Sequence, residues 1–169
     1  MTAKPTLHLL HGIPGSGKTT FAQQLEREFH AVRFSPDEWM VALHGTNPPE
    51  SAFRPQHERI MALIWMNVGR VLRAGSDVII EGGFWSRASR DDARQRAKAF
   101  GVTHKFYSLH CSVDVARRRV LARTAAMPPG TLEITGPTFD HLLRQLEPLA
   151  ADEEFVIVEA SRQNSRSDL

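Results

Sequence analysis

The segment Gly12-Ile13-Pro14-Gly15-Ser16-Gly17-Lys18-Thr19 restricts this chain more than any other stretch of it. It follows a short apolar run, Thr6–His11, and opens a segment, Lys18–Phe29, in which Phe21, Ala22, Leu25 and Phe29 recur at helical spacing. A glycine-rich turn with Lys-Thr at its end, set between a strand and a helix, has the full P-loop pattern in its proper context. Glycines at 12, 15 and 17 let the backbone curl so that several N–H groups converge on one point. The start of the helix adds the positive end of its dipole there. Such a cradle suits the phosphates of a nucleotide. Lys18 is expected to reach the β- and γ-phosphates and Thr19 to offer its hydroxyl to Mg²⁺, with all of Gly12 to Thr20, Pro14 and Ser16 included, as the nucleotide-binding stretch.

The rest of the chain alternates in the same way. Ala31–Phe34 reads as a second strand, and Ser35-Pro36-Asp37-Glu38 as a helix start with Ser35 as cap, Pro36 first and Glu38 third. A helical pattern from about Arg54 to Arg73 leads to a buried strand, Asp77–Ile80, which ends in Glu81-Gly82-Gly83. Ser86 to about Phe100 is an arginine-rich helix, Thr103–Cys111 a strand, and Ser112 to about Arg123 another helix. Ala125–Pro137 is rich in proline and glycine and is expected to be a mobile loop, a short lid over about 124–137. A helix from about Thr138 to Leu149 and a strand, Phe155–Glu159, complete the series. Five strands interleaved with helices predict an α/β fold with a parallel sheet covered on both faces. At 169 residues we expect one domain, with its core at about 6–160 and a frayed tail at 161–169.

In such sheets ligands bind at the carboxyl ends of the strands, so the residues that follow them are the candidates. Asp37 could take the proton of an attacking hydroxyl, or orient that hydroxyl; a carboxylate in a first helical turn is also favoured by the dipole alone. Glu81, closing an apolar strand, could hold a Mg²⁺-bound water, face the acceptor, or be a solvated strand-end acid. Gly82-Gly83 would let a substrate approach the backbone, and Trp85 either walls an acceptor pocket or packs under the next helix. Arg87 and Arg90 stand in a first helical turn, where a cation opposes the dipole. That suggests a bound anion there, or else an exposed helix face. Arg119 and Arg123 lie four apart on one helix face before the lid, where arginine could stabilise the charge of a transferring phosphoryl group.

Composition narrows the classes. A net charge of +2 does not by itself ask for nucleic acid, although four lysines leave 17 of the 21 cationic residues as arginine. No run approaches the roughly 18–20 apolar residues that cross a bilayer, and the N-terminus lacks the design of a secretory signal. One cysteine, Cys111, excludes an internal disulfide and fits the reducing cytoplasm. The eight histidines show no metal-ligand spacing.

Gly12–Thr20, Ser35-Pro36-Asp37-Glu38-Trp39, Ile80–Arg87 and Arg117–Arg123 together resemble the small P-loop kinases of the zeta-toxin, chloramphenicol phosphotransferase and polynucleotide 5′-hydroxyl kinase group. The resemblance implies ATP as donor, Asp37 as the acceptor's base, and Arg119 and Arg123 as lid arginines on the ATP phosphates. The chain departs from the polynucleotide kinases in carrying Glu81-Gly82-Gly83 where they have an Asp-Thr-Asn-like segment, and it lacks the long toxin-type insertions. The expectation is therefore transfer of the ATP γ-phosphate to a hydroxyl of a small molecule. A polynucleotide 5′-hydroxyl kinase is the alternative among enzymes, and a nucleotide-dependent ATPase switch the alternative of another class.

Overall fold

Short β-rich runs interrupted by amphipathic segments fold here as a parallel sheet between helices. A computed structural model of the chain describes residues 4–159, so the tail expected at 161–169 lies outside the described residues. The elements run β1 (Thr6–His11), α1 (Lys18–Phe29), β2 (Val32–Phe34), α2 (Pro36–His44), α3 (Glu50–Arg73), β3 (Val78–Gly83), α4 (Arg87–Phe100), β4 (Thr103–His110), α5 (Val113–Ala126), α6 (Gly136–Arg144) and β5 (Val156–Glu159). The five strands pair in parallel in the order β2-β3-β1-β4-β5. This is the three-layer α/β architecture of P-loop nucleotide-binding proteins. β1 lies at its centre between β3 and β4, so the loop after β1 opens where successive connections diverge to opposite sides, the usual place for a ligand.

The two-residue period of the strands sorts the core. Leu7, Leu9, Val78, Ile80 and Phe106 face one layer, against Ile60, Ile64, Val68 and Leu72 of α3 and Ala93 and Ala97 of α4. Leu10, Ile79, Tyr107 and Leu109 face the other, against Ala22 and Leu25 of α1. A third cluster joins Ile13 of the β1–α1 loop to Ala116 and Val120 of α5 and Phe139 of α6. The phosphate cradle is thereby seated on apolar packing from below. His8 of β1 is fully buried and bonds Tyr107 Oη (3.0 Å).

Several boundaries differ from expectation, among them the start of α3 at Glu50, ahead of the expected Arg54. β3 runs on through Glu81, Gly82 and Gly83, because His11 of β1 still pairs with Gly83 after a register shift. These residues are therefore part of the strand and do not follow it. α5 extends to Ala126, and α6 begins at Gly136 and ends at Arg144. The intervening 127–135 segment is no free loop: Leu132 is buried in the main core and Ile134 in the third cluster. Thr124 Oγ1 bridges the N–H and C=O of Ile134 (both 3.1 Å), and the Glu133 N–H reaches the Thr46 carbonyl (2.9 Å). Proline and glycine marked the absence of helix; they did not reveal that apolar side chains between them anchor the segment.

Candidate active site

The cradle is built by backbone first. Gly15 has φ +79°, and a Cβ there would lie 2.4 Å from the Ala116 carbonyl, so only glycine lets the loop rest on α5. Gly17 caps α1 in the left-handed conformation, leaving the first helical N–H groups without a side-chain cap. Lys18, the first residue of α1, folds back on the loop and donates to the carbonyls of Gly12 and Ile13 (2.9 Å each). Burial lowers its pKa to about 8, opposed by Asp37 and Glu81 and assisted by Arg123. Those three side chains, from α2, β3 and α5, therefore sit within electrostatic reach of one ammonium.

Thr19 donates its hydroxyl to Glu81 Oε1. Glu81 is 8 % exposed at its side chain, and its other oxygen accepts from Arg33 Nη1 (3.0 Å). Burial raises the Glu81 pKa, against the pull of the Thr19 hydroxyl, Arg33 and Lys18. A hydroxyl and a carboxylate set side by side are hard oxygen donors, which fits a Mg²⁺ ion that keeps several waters and takes few protein ligands. Among the described residues no group of three or more His, Cys, Asp or Glu could form an all-protein metal cage.

Asp37 is exposed in the first turn of α2. Ser35 caps that helix by accepting from the Glu38 N–H (3.4 Å), with no return bond from the Glu38 side chain among the described residues. Glu38 turns to Arg33 Nη2 (2.8 Å) instead, because Arg33 also binds Glu26 (3.0 Å) and Glu81 and so gathers three carboxylates. Arg33 was not among the candidates read from the sequence, because its carboxylate partners lie as far as 48 residues away. The 127–135 segment closes over this side, since a Cβ on Gly130 would come 3.3 Å from Glu38 Cγ.

On the opposite side Arg119 Nη1 reaches the Gly15 carbonyl (3.4 Å) and Cys111 Sγ (3.8 Å), against the cradle. Among the described residues Arg123 Nε and Ser16 Oγ are buried without a hydrogen-bond partner. Buried, unsatisfied polar atoms are costly, and two beside a nest of backbone N–H groups fit an anionic ligand. Pro14 is buried within the loop and Thr20 is exposed behind it.

Of the two arginines in the first turn of α4, Arg87 takes the exposed-face alternative and Arg90 departs from both expectations. Arg90 is fully buried: its guanidinium clasps Glu153 (2.8 and 2.9 Å) and donates to the carbonyls of Phe84, Trp85, Glu147 and Pro148. It is a staple between α4 and the segment before β5, with no donor left for a substrate anion. Arg87 is held by Asp152 (2.9 Å) and Asp91 (2.9 Å) on the surface. Trp85 turns toward the cradle, where its indole N–H bonds the Gly12 carbonyl (3.0 Å). Two shallow surface hollows, one at Arg94, Gln95 and Lys98 and one at Gln23, Glu26 and Arg27, contain none of the catalytic candidates. No helix among the described residues is long and apolar enough to cross a membrane.

Solved structures of other proteins share the fold. A protein from Chloroflexus aurantiacus j-10-fl described as a kinase is 22% identical, with 92% of this chain and 88% of that chain covered at a TM-score of 0.74. A chain of the Pnkp1/Rnl/Hen1 RNA repair complex is 23% identical over 86% of this chain and 45% of its own, at 0.69. The Mycobacterium tuberculosis APS kinase CysC, solved with AMPPNP and APS, is 15% identical over 95% and 91%, at 0.65. At these identities the likeness is one of fold, a parallel α/β sheet of the P-loop nucleotide-binding type. No curated protein sequence matches the chain. The AAA_33 family, an AAA domain, matches residues 7–161, nearly the whole length over which strand, cradle and helix repeat, and the chain belongs to that family.

Proposed function

We propose that this protein transfers the γ-phosphate of ATP to a hydroxyl group of a small molecule. The observation that carries the reading is the built cradle, where Lys18 folds onto the Gly12 and Ile13 carbonyls, Thr19 of α1 meets Glu81 of β3, and Arg123 of α5 keeps a buried, unpartnered Nε, with Asp37 of α2 in electrostatic reach of Lys18. Lys18 would exchange its two carbonyl contacts for the β- and γ-phosphates. Arg123, with an unpartnered Nε, and Arg119 would meet the charge that spreads over the transferring group. Thr19 and Glu81 would hold Mg²⁺, which neutralises phosphate charge when bound. Asp37 would accept the hydroxyl proton as the acceptor oxygen bonds to phosphorus and the bond to ADP breaks. The setting we infer is the cytoplasm.

A small acceptor is favoured over nucleic acid by the state of the arginines. Arg33, Arg87 and Arg90 are each held by carboxylates, so among the described residues these three do not offer the open cationic track that a polynucleotide backbone requires. The test is ADP release with gluconate, a panel of sugars and amino alcohols, and a 5′-hydroxyl oligonucleotide, with products weighed by mass spectrometry. A phosphorylated small molecule supports the reading, and Asp37→Asn should then keep nucleotide affinity while losing roughly 10²-fold or more in turnover. Phosphorylation of the oligonucleotide alone moves the assignment to the polynucleotide alternative. ADP and free phosphate with no phosphorylated acceptor would indicate the ATPase switch.

A further inference from the structure

The bond between Trp85 and Gly12 joins two loops 73 residues apart, and the chain is shaped to make it. β3 ends at Gly83 with φ +75°, and a Cβ there would lie 2.7 Å from Trp85 Nε1, so the ring's seat requires glycine. Phe84 follows with φ +46°, a left-handed conformation that a bulky residue adopts only when its surroundings hold it. They do. The Phe84 ring is buried edge-on against Phe106 (centroids 5.6 Å apart) and its carbonyl accepts from Arg90 (3.2 Å). The Trp85 carbonyl accepts from Arg90 (3.1 Å) and from the Glu147 N–H (2.9 Å). The backbone that carries the indole is therefore fixed from both sides.

At the other end of the bond, the Gly12 carbonyl has two donors, Trp85 Nε1 and Lys18 Nζ. Lys18 has to leave that carbonyl to reach a phosphate. Gly12 has φ +154°, so its backbone is free to turn unless something holds it. A turned peptide would aim a carbonyl at the phosphates where the cradle needs N–H groups. We propose that Trp85 is a positioning residue for the nucleotide: it keeps the Gly12 carbonyl bonded when Lys18 departs, and so holds the cradle in its phosphate-binding form. The inference rests on nucleotide binding at this loop, and adds a role outside the motif itself.

The test uses the full chain and Mg·AMPPNP, with calorimetric titration, tryptophan emission and thermal unfolding of the nucleotide-free protein. Trp85→Phe keeps an aromatic side chain and removes the donor; Gly83→Ala keeps the donor and displaces the indole. One net hydrogen bond corresponds to about a three- to tenfold loss of affinity, expected in both variants. Wild-type emission should respond to Mg·AMPPNP, and Trp85→Phe, which retains Trp39 and Trp65, should lose most of that response. Unchanged affinity in Trp85→Phe, with or without a lower melting temperature, would reduce Trp85 to a packing residue and overturn the proposal. Emission that responds equally in wild type and Trp85→Phe would also overturn it. Failure of the wild type to bind Mg·AMPPNP would overturn the proposed function, and this inference with it.

Discussion

Replacing Arg90 with methionine tests whether that residue is a structural staple or an anion grip, and the structure supplies the magnitude. The Arg90 side chain is 0 % exposed and that of Glu153 is 1 %. Removing one member of a buried pair leaves the other charge uncompensated, at about 3–5 kcal/mol. Glu153 keeps three contacts in the variant, Arg94 Nη2 (2.7 Å), the Ala150 N–H (3.0 Å) and the more distant Arg87 Nη1 (3.8 Å), which places the loss toward the lower end of that range. For a chain of this size each kcal/mol shifts the melting temperature by roughly 2–4 °C, so a fall of about 10 °C is expected by calorimetry or circular dichroism. Hydrogen bonding from Arg90, with help from Ala150 and Arg94, also holds the Glu153 carboxyl well below its usual range. A depressed folded-state pKa contributes stability above the unfolded value, lost as pH falls toward the folded one. Wild type should therefore lose stability below about pH 4.5 more steeply than Arg90→Met. Arg90→Met/Glu153→Leu should recover much of the loss, since no charge is then stranded. A fall of under 3 °C in the single variant would refute the reasoning.

Two other outcomes follow from the site's electrostatics. The Lys18 pKa of about 8 means that the empty cradle loses its ammonium as pH rises past that value, so Mg·AMPPNP affinity should weaken by up to about tenfold per pH unit above 8 by titration calorimetry. The sign reverses for stability: the unfolded state binds more protons between about pH 8 and 10.5, so this residue's unfavourable contribution is full below 8 and relieved above it. Arg33→Met removes the cation that opposes protonation of Glu81, so Mg²⁺-dependent nucleotide binding should fall more at pH 6 than at pH 8. An equal loss at both values would separate Glu81 from the metal.

What could be read from the chain in advance is what short-range chemistry dictates. The glycines at 12, 15 and 17, the Lys18-Thr19 pair and the alternation of strands with helices are local patterns, and each restricts the backbone wherever it occurs. They determined the parallel α/β sheet, the cradle at its centre and the placing of Asp37 at the start of a helix. Arginine is different. Its head group lies at the end of a long side chain and binds whichever carboxylate the fold brings near, so Arg33–Glu81, 48 residues apart, and Arg90–Glu153, 63 apart, had no signature in sequence. The same holds for Leu132 and Ile134, which turn an apparent loop into a packed segment, and for the indole of Trp85 on Gly12. Local preference decided which elements form; the three-dimensional packing decided which charges are neutralised inside the fold and which remain to meet a phosphate.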